Sequence, residues 1–258
     1  VYFLRSTQNN GSTIRGTSMK ILMKILISVS TVTALSNFAQ ARGGGGGFGV
    51  GFHGGMLTTN QKDMDTLKER ANTREGGIST GDLGTALEFG VTGSYRFDMY
   101  EILIRPTYLF HSEEGKDNSG ATFEYGVSGF TIFPMFRFVP LESNILKLFF
   151  QVGIGFGHAN GTVKEDTFEV EFSGNSLGYQ VGLGIEICFT DFHCMALEGN
   201  VRQLSFDRVL ADKVSGTSGG SPQGIDQHTV GQEVEMDGRD LFVTMSGFQA
   251  LLGYVMHF

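Results

Sequence analysis

The sequence predicts an all-β fold, an eight-stranded antiparallel up-and-down transmembrane β-barrel. Three observations lead to this prediction: an aromatic-rich and charge-poor composition, repeated alternation of apolar and polar residues, and connections that alternate between short and long. Aromatic residues make up 12% of the chain and charged residues only 18%, which argues against a disordered protein. No apolar run reaches 18 residues, which argues against a helical membrane protein.

The amino-terminal part of the sequence has the features of a targeting segment. A positive region, a short apolar stretch and a small-x-small cleavage site follow one another, and their key residues are Lys20, Lys24, Ala39 and Ala41. We interpret 19–41 as a bacterial signal peptide, 1–18 as an upstream extension that is not native, and 42–258 as the barrel. A buried core helix at 21–35 is the alternative.

Eight segments with a period of two carry the barrel prediction, since alternation of this kind is typical of strands with two different faces. In order, they are 46–58, 83–97, 100–111, 122–138, 148–157, 177–189, 194–206 and 242–258. In the fifth segment, for example, Phe150, Val152, Ile154 and Phe156 alternate with glycines.

The length and bulk of the apolar stripes decide which face points outward. They run for 10–15 residues in the clearest segments, and their side chains are too large to fill one small barrel. The opposite face carries Gly, Ser, Thr, Gln and single charges. Apolar residues facing lipid and small or polar residues filling the interior are typical of a transmembrane barrel, whose closed ladder also satisfies every backbone hydrogen bond.

The connections alternate in length as they do in outer-membrane proteins. Short ones occur at 98–99, 140–145 and 190–193, and longer polar ones at 59–81, 113–121, 158–176 and 207–240. An even strand number then puts both termini at the periplasmic rim. The four longer connections carry −9 of the charge of −12 that 42–258 has, and solvation of loops is the favoured explanation.

The fourth segment contains an irregularity. Its apolar residues lie at odd positions in Phe123, Tyr125 and Val127, but at even positions from Phe130 onward. A β-bulge near Gly129 would explain this change of face.

The chain resembles the small eight-stranded outer-membrane barrels, the group of the OmpA transmembrane domain and OmpX. The resemblance covers about 44–258 and is most specific in the signal peptide, in 151–157 and in 253–258. It implies an assembly signal in the last strand, formed by Gly253, Tyr254, Met256 and Phe258. It also implies a location in the outer membrane of a Gram-negative bacterium, with membrane lipid, lipopolysaccharide and the assembly machinery as partners and a possible surface ligand bound by the loops.

The polar face carries a balanced set of charges that we expect to form a lumen cluster. These residues are Glu88, Arg96, Glu101, Arg105, Lys147, Glu186, Glu198 and Arg202. Buried charges must pair, because an unpaired charge in a narrow interior is very unfavourable. A salt-bridge plug that seals the barrel is the favoured interpretation, and a narrow ion path is the alternative.

Other candidate sites are weaker. Cys188 and Cys194 are equidistant from Asp191, so a hairpin centred there would allow a disulfide, with two free thiols as the alternative. The glycines of 153–157 alternate along one strand and do not form a nucleotide-binding loop. The six histidines show no metal-binding spacing, so we expect neither metal nor cofactor.

The function predicted from these features is non-enzymatic, in envelope integrity or in surface contact through the loops. A narrow porin-like channel is the first alternative. A lipid A-modifying enzyme is the second, with 111–113 and 158–160 as the segments where such a site would lie. The net charge of −8 argues against nucleic acid as a partner.

Overall fold

A computed structural model describes residues 47–75, 78, 83–143, 145–216, 225 and 229–258. The predicted extension 1–18 and signal peptide 19–41, with Ala39 and Ala41, lie outside the described residues. Among the described residues, no helix is both long enough and apolar enough to span a membrane.

Thirteen strands and one helix are formed within these residues. In chain order they are β1 (Gly47–Thr58), α1 (Lys62–Glu75), β2 (Thr85–Phe97), β3 (Tyr100–Lys116), β4 (Thr122–Glu142), β5 (Leu146–Glu165), β6 (Phe168–Cys188), β7 (His193–Gln203), β8 (Ser205–Phe206), β9 (Leu210–Ser215), β10 (Glu235–Met236), β11 (Arg239–Asp240), β12 (Val243–Thr244) and β13 (Gly247–His257).

Eight of these strands form a closed antiparallel ring. Strands β1 to β7 pair in sequence, β7 pairs with β13, and β13 pairs with β1 across a seam that includes Phe52↔Tyr254. The predicted eight-stranded up-and-down barrel is therefore confirmed. A closed ring has no free edge, so within the ring each strand has a ladder partner on both sides.

The pleat of each strand separates two chemically different faces. Outward side chains form an apolar belt around all eight strands, represented by Phe52, Phe89, Ile104, Phe136, Phe150, Leu183, Leu197 and Leu252, all of which are exposed. Exposure reaches 73% at Ile154 and 80% at Leu177. This belt is the surface that would meet lipid.

The two ends of the barrel differ. At the turn end, short connections follow Phe97, Glu142 and Cys188, and Asp98 adopts a left-handed conformation that closes the tight β2–β3 hairpin. At the loop end lie α1 and the segment with β8 to β12. The connection 59–81 was expected to be a polar loop, but much of it is the helix α1.

Strands β5 and β6 extend much farther than the sequence pattern indicates. They have 20 and 21 residues, whereas about 9–11 suffice to cross a bilayer. The predicted loop at 158–176 is wrong, because these residues continue the two strands and turn only at Asp166 and Thr167. Beyond the belt the pattern inverts: Lys164 faces outward, while Val163 is buried inside.

The expected bulge near Gly129 is also wrong. The pairs Leu109↔Gly129 and Gly129↔Ala159 continue the ladders on both sides, and the register of β4 and β5 shifts at Phe138/Leu141 instead. Phe123, Tyr125 and Val127 are buried on the inner face, so β4 does not change face near Gly129. The apolar stripe changes because the interior becomes apolar toward the loop end.

An apolar loop core fills that end of the barrel. Met64 and Leu67 of α1, Phe206 of β8, Val243 of β12 and Met245 are fully buried together with inward side chains of the extended strands. The predicted last strand, 242–258, accordingly begins later, at Gly247, because the residues before it belong to this core. The seventh strand ends at Gln203 rather than at 206, and Phe206 pairs with Val243.

Candidate functional site

The candidate site is a network of buried charges in the middle of the barrel, which we call the lumen network. Seven of the eight predicted residues belong to it, together with one residue that the sequence interpretation missed. Its members are Glu88, Glu101, Arg105, Arg137, Lys147, Glu186, Glu198 and Arg202. Four carboxylates thus meet four cations, so their formal charges balance.

Arg137 lies at the centre of this network. One guanidinium nitrogen, Nη1, donates to Glu101 Oε2 and Glu186 Oε1, both at 3.1 Å. The other, Nη2, donates to Glu198 Oε1 and Gln151 Oε1, also at 3.1 Å. A single guanidinium on β4 therefore binds side chains of β3, β5, β6 and β7. Its planar fork of donors suits this multiple pairing.

A second arginine crosses the lumen to the same carboxylate. Arg105 of β3 forms a bidentate pair with Glu198 of β7, at 2.7 and 2.8 Å. Glu198 also accepts a hydrogen bond from Gln151 Nε2 at 2.8 Å, and Gln151 donates to Asn200 Oδ1 at 2.7 Å. Bidentate, charge-assisted bonds of this kind are among the strongest in proteins, so the lumen is bridged at its middle.

Toward the loop end, Arg202 connects the lumen network to the loop core. It is fully buried, as is Glu88, to which its Nη1 donates at 3.0 Å. Its Nε donates to the backbone carbonyl of Met245 at 2.9 Å. The guanidinium thus fixes the last loop segment to the barrel wall.

Toward the turn end, the network finishes at a smaller cluster. Lys147 lies 3.5 Å from Glu186, and His257 Nε2 lies 3.0 Å from Glu186 Oε2. Arg96, predicted as a cluster member, instead pairs with Glu142 at the partly exposed rim, at 2.9 Å. The expectation that Arg96 pairs within the lumen is wrong, because its position near the β2–β3 turn puts it beside the β4–β5 turn.

A family model for the outer membrane protein beta-barrel domain matches residues 25–234. The chain belongs to this family. No match was found among curated proteins.

Two solved outer-membrane proteins of Pseudomonas aeruginosa are similar in structure. The barrel resembles OprG with a TM-score of 0.50 and 11% identity, over 83% of this chain and 96% of OprG. It aligns with the N-terminal barrel domain of OprF with a TM-score of 0.36 and 11% identity, over 82% of this chain and 99% of that domain. The likeness to OprG supports the fold of this outer-membrane barrel.

The two cysteines of the outer-membrane barrel are joined. Cys188 and Cys194 are cross-strand neighbours in β6 and β7 and form a disulfide at the turn end. With Glu186 they make a group of three metal-ligand types within 4.8 Å, but the joined sulfurs offer no thiolate to a metal.

Two further sets of predicted residues are the assembly signal of the terminal strand and the candidate enzyme segments at 111–113 and 158–160. In the terminal strand, the Tyr254 hydroxyl lies 2.6 Å from His193 Nδ1. Met256 lies on the same face of β13 as Tyr254, whereas Gly253 lies on the opposite face. His111 and Ser112 lie on opposite faces of β3, so they do not form a nucleophile and base pair. His158 instead lies 2.8 Å from Asn175.

Arg137 is the member of the network that the sequence interpretation missed, although a signal for it existed. It follows Phe136, an outward residue of the predicted alternation, and so falls on the polar face. The neutral partners Gln151, Asn200, Gln180 and Gln249, all buried, gave no comparable signal.

Proposed function

We propose that this protein is a closed, non-enzymatic barrel in the outer membrane of a Gram-negative bacterium, with a structural role in the envelope and a surface-contact role at its loop end. Outer-membrane lipid and lipopolysaccharide would surround the apolar belt. The assembly machinery would recognise the terminal strand through Tyr254, Met256 and Phe258. Neither a cofactor nor a nucleic acid has a part in this proposal.

The observation that carries the proposal is the set of bonds around Arg137. Its guanidinium and that of Arg105 converge on Glu198 from two different strands, and Glu101 and Glu186 complete the pairing. Every one of these side chains is buried. A passing ion would have to break several charge-assisted bonds at once, which favours a seal over a path.

A second obstruction supports the same proposal. The loop core lies between the lumen network and the loop end, and its members are tightly buried apolar side chains. An ion would need to shed its hydration shell to pass them. The two obstructions differ in kind, because one depends on charge pairing and the other on apolar packing.

Planar-bilayer recording tests this proposal. We expect wild-type protein to give no conductance above background. We expect the same for Arg137→Ala, because its loop core still closes the barrel. A variant that combines Arg105→Ala and Arg137→Ala with short Gly-Ser linkers in place of both 60–83 and 205–245 should conduct, because it removes both obstructions.

Each preparation needs a control for folding. The heat-dependent shift in electrophoretic mobility that folded barrels show would confirm that silent proteins are inserted. Steady conductance by folded wild type would overturn the closed barrel and favour the narrow channel.

A further inference from the structure

A polar cleft at the loop end is not used by the lumen network. It has a volume of about 480 Å³, within the range of small-molecule sites. Its lining combines hydroxyl and amide groups with two cations, and the residues that matter here are Asn60, Lys62, Gln203, Ser205, Arg239 and Ser246.

The polar groups of the cleft are held in place by bonds among themselves. Gln203 Nε2 donates to Ser205 Oγ at 3.1 Å, and Ser205 Oγ lies 3.3 Å from Ser246 Oγ. Ser246 Oγ in turn accepts the Leu204 amide at 2.7 Å. A ligand with several hydroxyl groups would thus meet donors and acceptors whose positions are already fixed.

The two cations give the cleft a charge opposite to that of the surrounding loops. Arg239 is oriented by a bidentate pair with the buried Asp63, at 2.7 Å for both bonds, yet its own side chain is 54% exposed. Lys62 is exposed beside it. One carboxylate against two cations leaves a net positive site on an acidic protein, which suits a phosphate group.

The cleft also borders the apolar belt. Gln203, at the end of β7, is the ladder partner of Tyr179, an exposed residue of the belt. Val201 and Phe248 form an exposed outward pair directly below it, and Leu177 stands exposed beside it on β6. An amphiphile whose acyl chains lay on these side chains would bring its headgroup to the cleft.

We propose that this cleft binds the phosphorylated sugar headgroup of an outer-leaflet lipid, with its acyl chains against Leu177, Val201 and Phe248. Lys62 and Arg239 bind the phosphate, and Gln203, Ser205 and Ser246 bind sugar hydroxyls. The inference rests on the proposed function in one respect, namely that the loop end faces the outer leaflet.

Native mass spectrometry of the full chain in detergent, titrated with lipid A, tests the site. We expect Lys62→Ala and Gln203→Ala each to weaken binding, and the lysine variant by about tenfold, the usual effect of losing one charge-assisted bond. Lys164→Ala is the matched control, because it removes an outward, half-buried cation of β5 that does not line the cleft, and it should leave binding unchanged.

Two further probes distinguish a lipid A headgroup from other sources of phosphate. Phosphatidylglycerol supplies a lipid phosphate without a sugar, and soluble glucosamine 1-phosphate supplies the headgroup without acyl chains. Both should bind at least about tenfold more weakly than lipid A. Equal binding of phosphatidylglycerol, equal binding of the soluble sugar, or lipid A binding unaffected by both cleft variants would each overturn the proposal.

The orientation is tested separately, by protease added to intact cells. Cleavage in the loop-end segment 205–246 supports an outward loop end. If that segment is protected while lipid A still binds in detergent, the proposed orientation is wrong. The cleft then binds the headgroup in detergent but does not face the outer leaflet in the cell.

Discussion

At the scale of single residues, Arg137 has the greatest structural consequence. It binds side chains from four other strands, and its guanidinium stacks 3.8 Å from the centre of the Phe149 ring. Buried charges are stable only when their partners are complete, so the network depends on each member. Arg96 offers a contrast, because its pair with Glu142 is partly exposed at the rim.

We expect Arg137→Ala to lower the free energy of unfolding by about 3–5 kcal/mol, because three buried carboxylates lose a cation. Arg96→Ala, the matched control, should lower it by less than about 1 kcal/mol, since exposed pairs contribute little. Urea unfolding in detergent micelles, followed by electrophoretic mobility, measures both. Equal effects of the two changes would contradict the burial argument.

A second residue-scale prediction concerns pH and Asp63 of α1. Burial would raise the pKa of this carboxyl, but hydrogen bonds from Arg239 and from the Phe242 amide, with the charges nearby, hold its pKa below the usual value. The unfolded state therefore binds the proton more readily. The contribution of Asp63 to stability is complete above the ordinary carboxyl range and is lost as the pH falls through the depressed pKa.

Hydrogen exchange of the α1 amides checks this sign. Wild type should be better protected than Asp63→Asn at pH 7, and the difference should shrink only below about pH 4, the ordinary range of an aspartate. Thr66→Ala, on the exposed side of the same helix, is the control and should show no such pH dependence. A difference that vanishes already near pH 6 would refute the assignment.

At the scale of elements, the sequence predicts the strands well within the membrane and poorly beyond it. Period two identifies an apolar outward face only where lipid lies outside. In the loop-end parts of β4, β5 and β6 the inner face still points inward, but it carries apolar instead of polar side chains. For this reason the sequence interpretation wrongly placed Phe123 on a strand that changes face and Val163 in a loop. No local pattern distinguishes an apolar residue facing lipid from one facing a folded loop.

The pairing of charges escaped prediction for a related reason. The sequence indicates which residues share the inner face, but the tilt and stagger of the strands decide which of them meet across the lumen. Arg105 and Glu198 lie 93 residues apart and on strands that are not neighbours. Arg96 reaches Glu142 because both lie at the turn end.

The two faces of the strands provide the element-scale prediction. Arg substituted for Leu183 or Phe150, which are outward cross-strand partners, should destabilise the folded barrel by about 2–4 kcal/mol if they lie near the bilayer midplane. Arg at Ser94, an inner position near the turn end, should be tolerated better. Urea unfolding in vesicles measures all three, and equal losses would refute the assignment of the faces.

At the scale of the whole molecule, three layers follow one another along the barrel axis. The turn end carries the disulfide and the cluster around Glu186, the middle carries the Arg137 bonds, and the loop end carries the apolar core. Arg202 joins the last two layers through Glu88 and Met245. The sequence predicted the barrel and its charged middle, whereas the apolar layer depends on segments far apart in the chain.

The seam between β1 and β13 has a consequence for how the molecule is made. Its partners, such as Gly49 and His257, lie about 200 residues apart, so this pairing has the largest loop-closure entropy of any in the ring. All other neighbouring strands of the barrel except β1–β2 and β7–β13 are joined by short hairpins. Until the seam closes, both strands present unpaired edges that can template pairing with other chains. We therefore expect ring closure to be the slowest and most aggregation-sensitive step of folding.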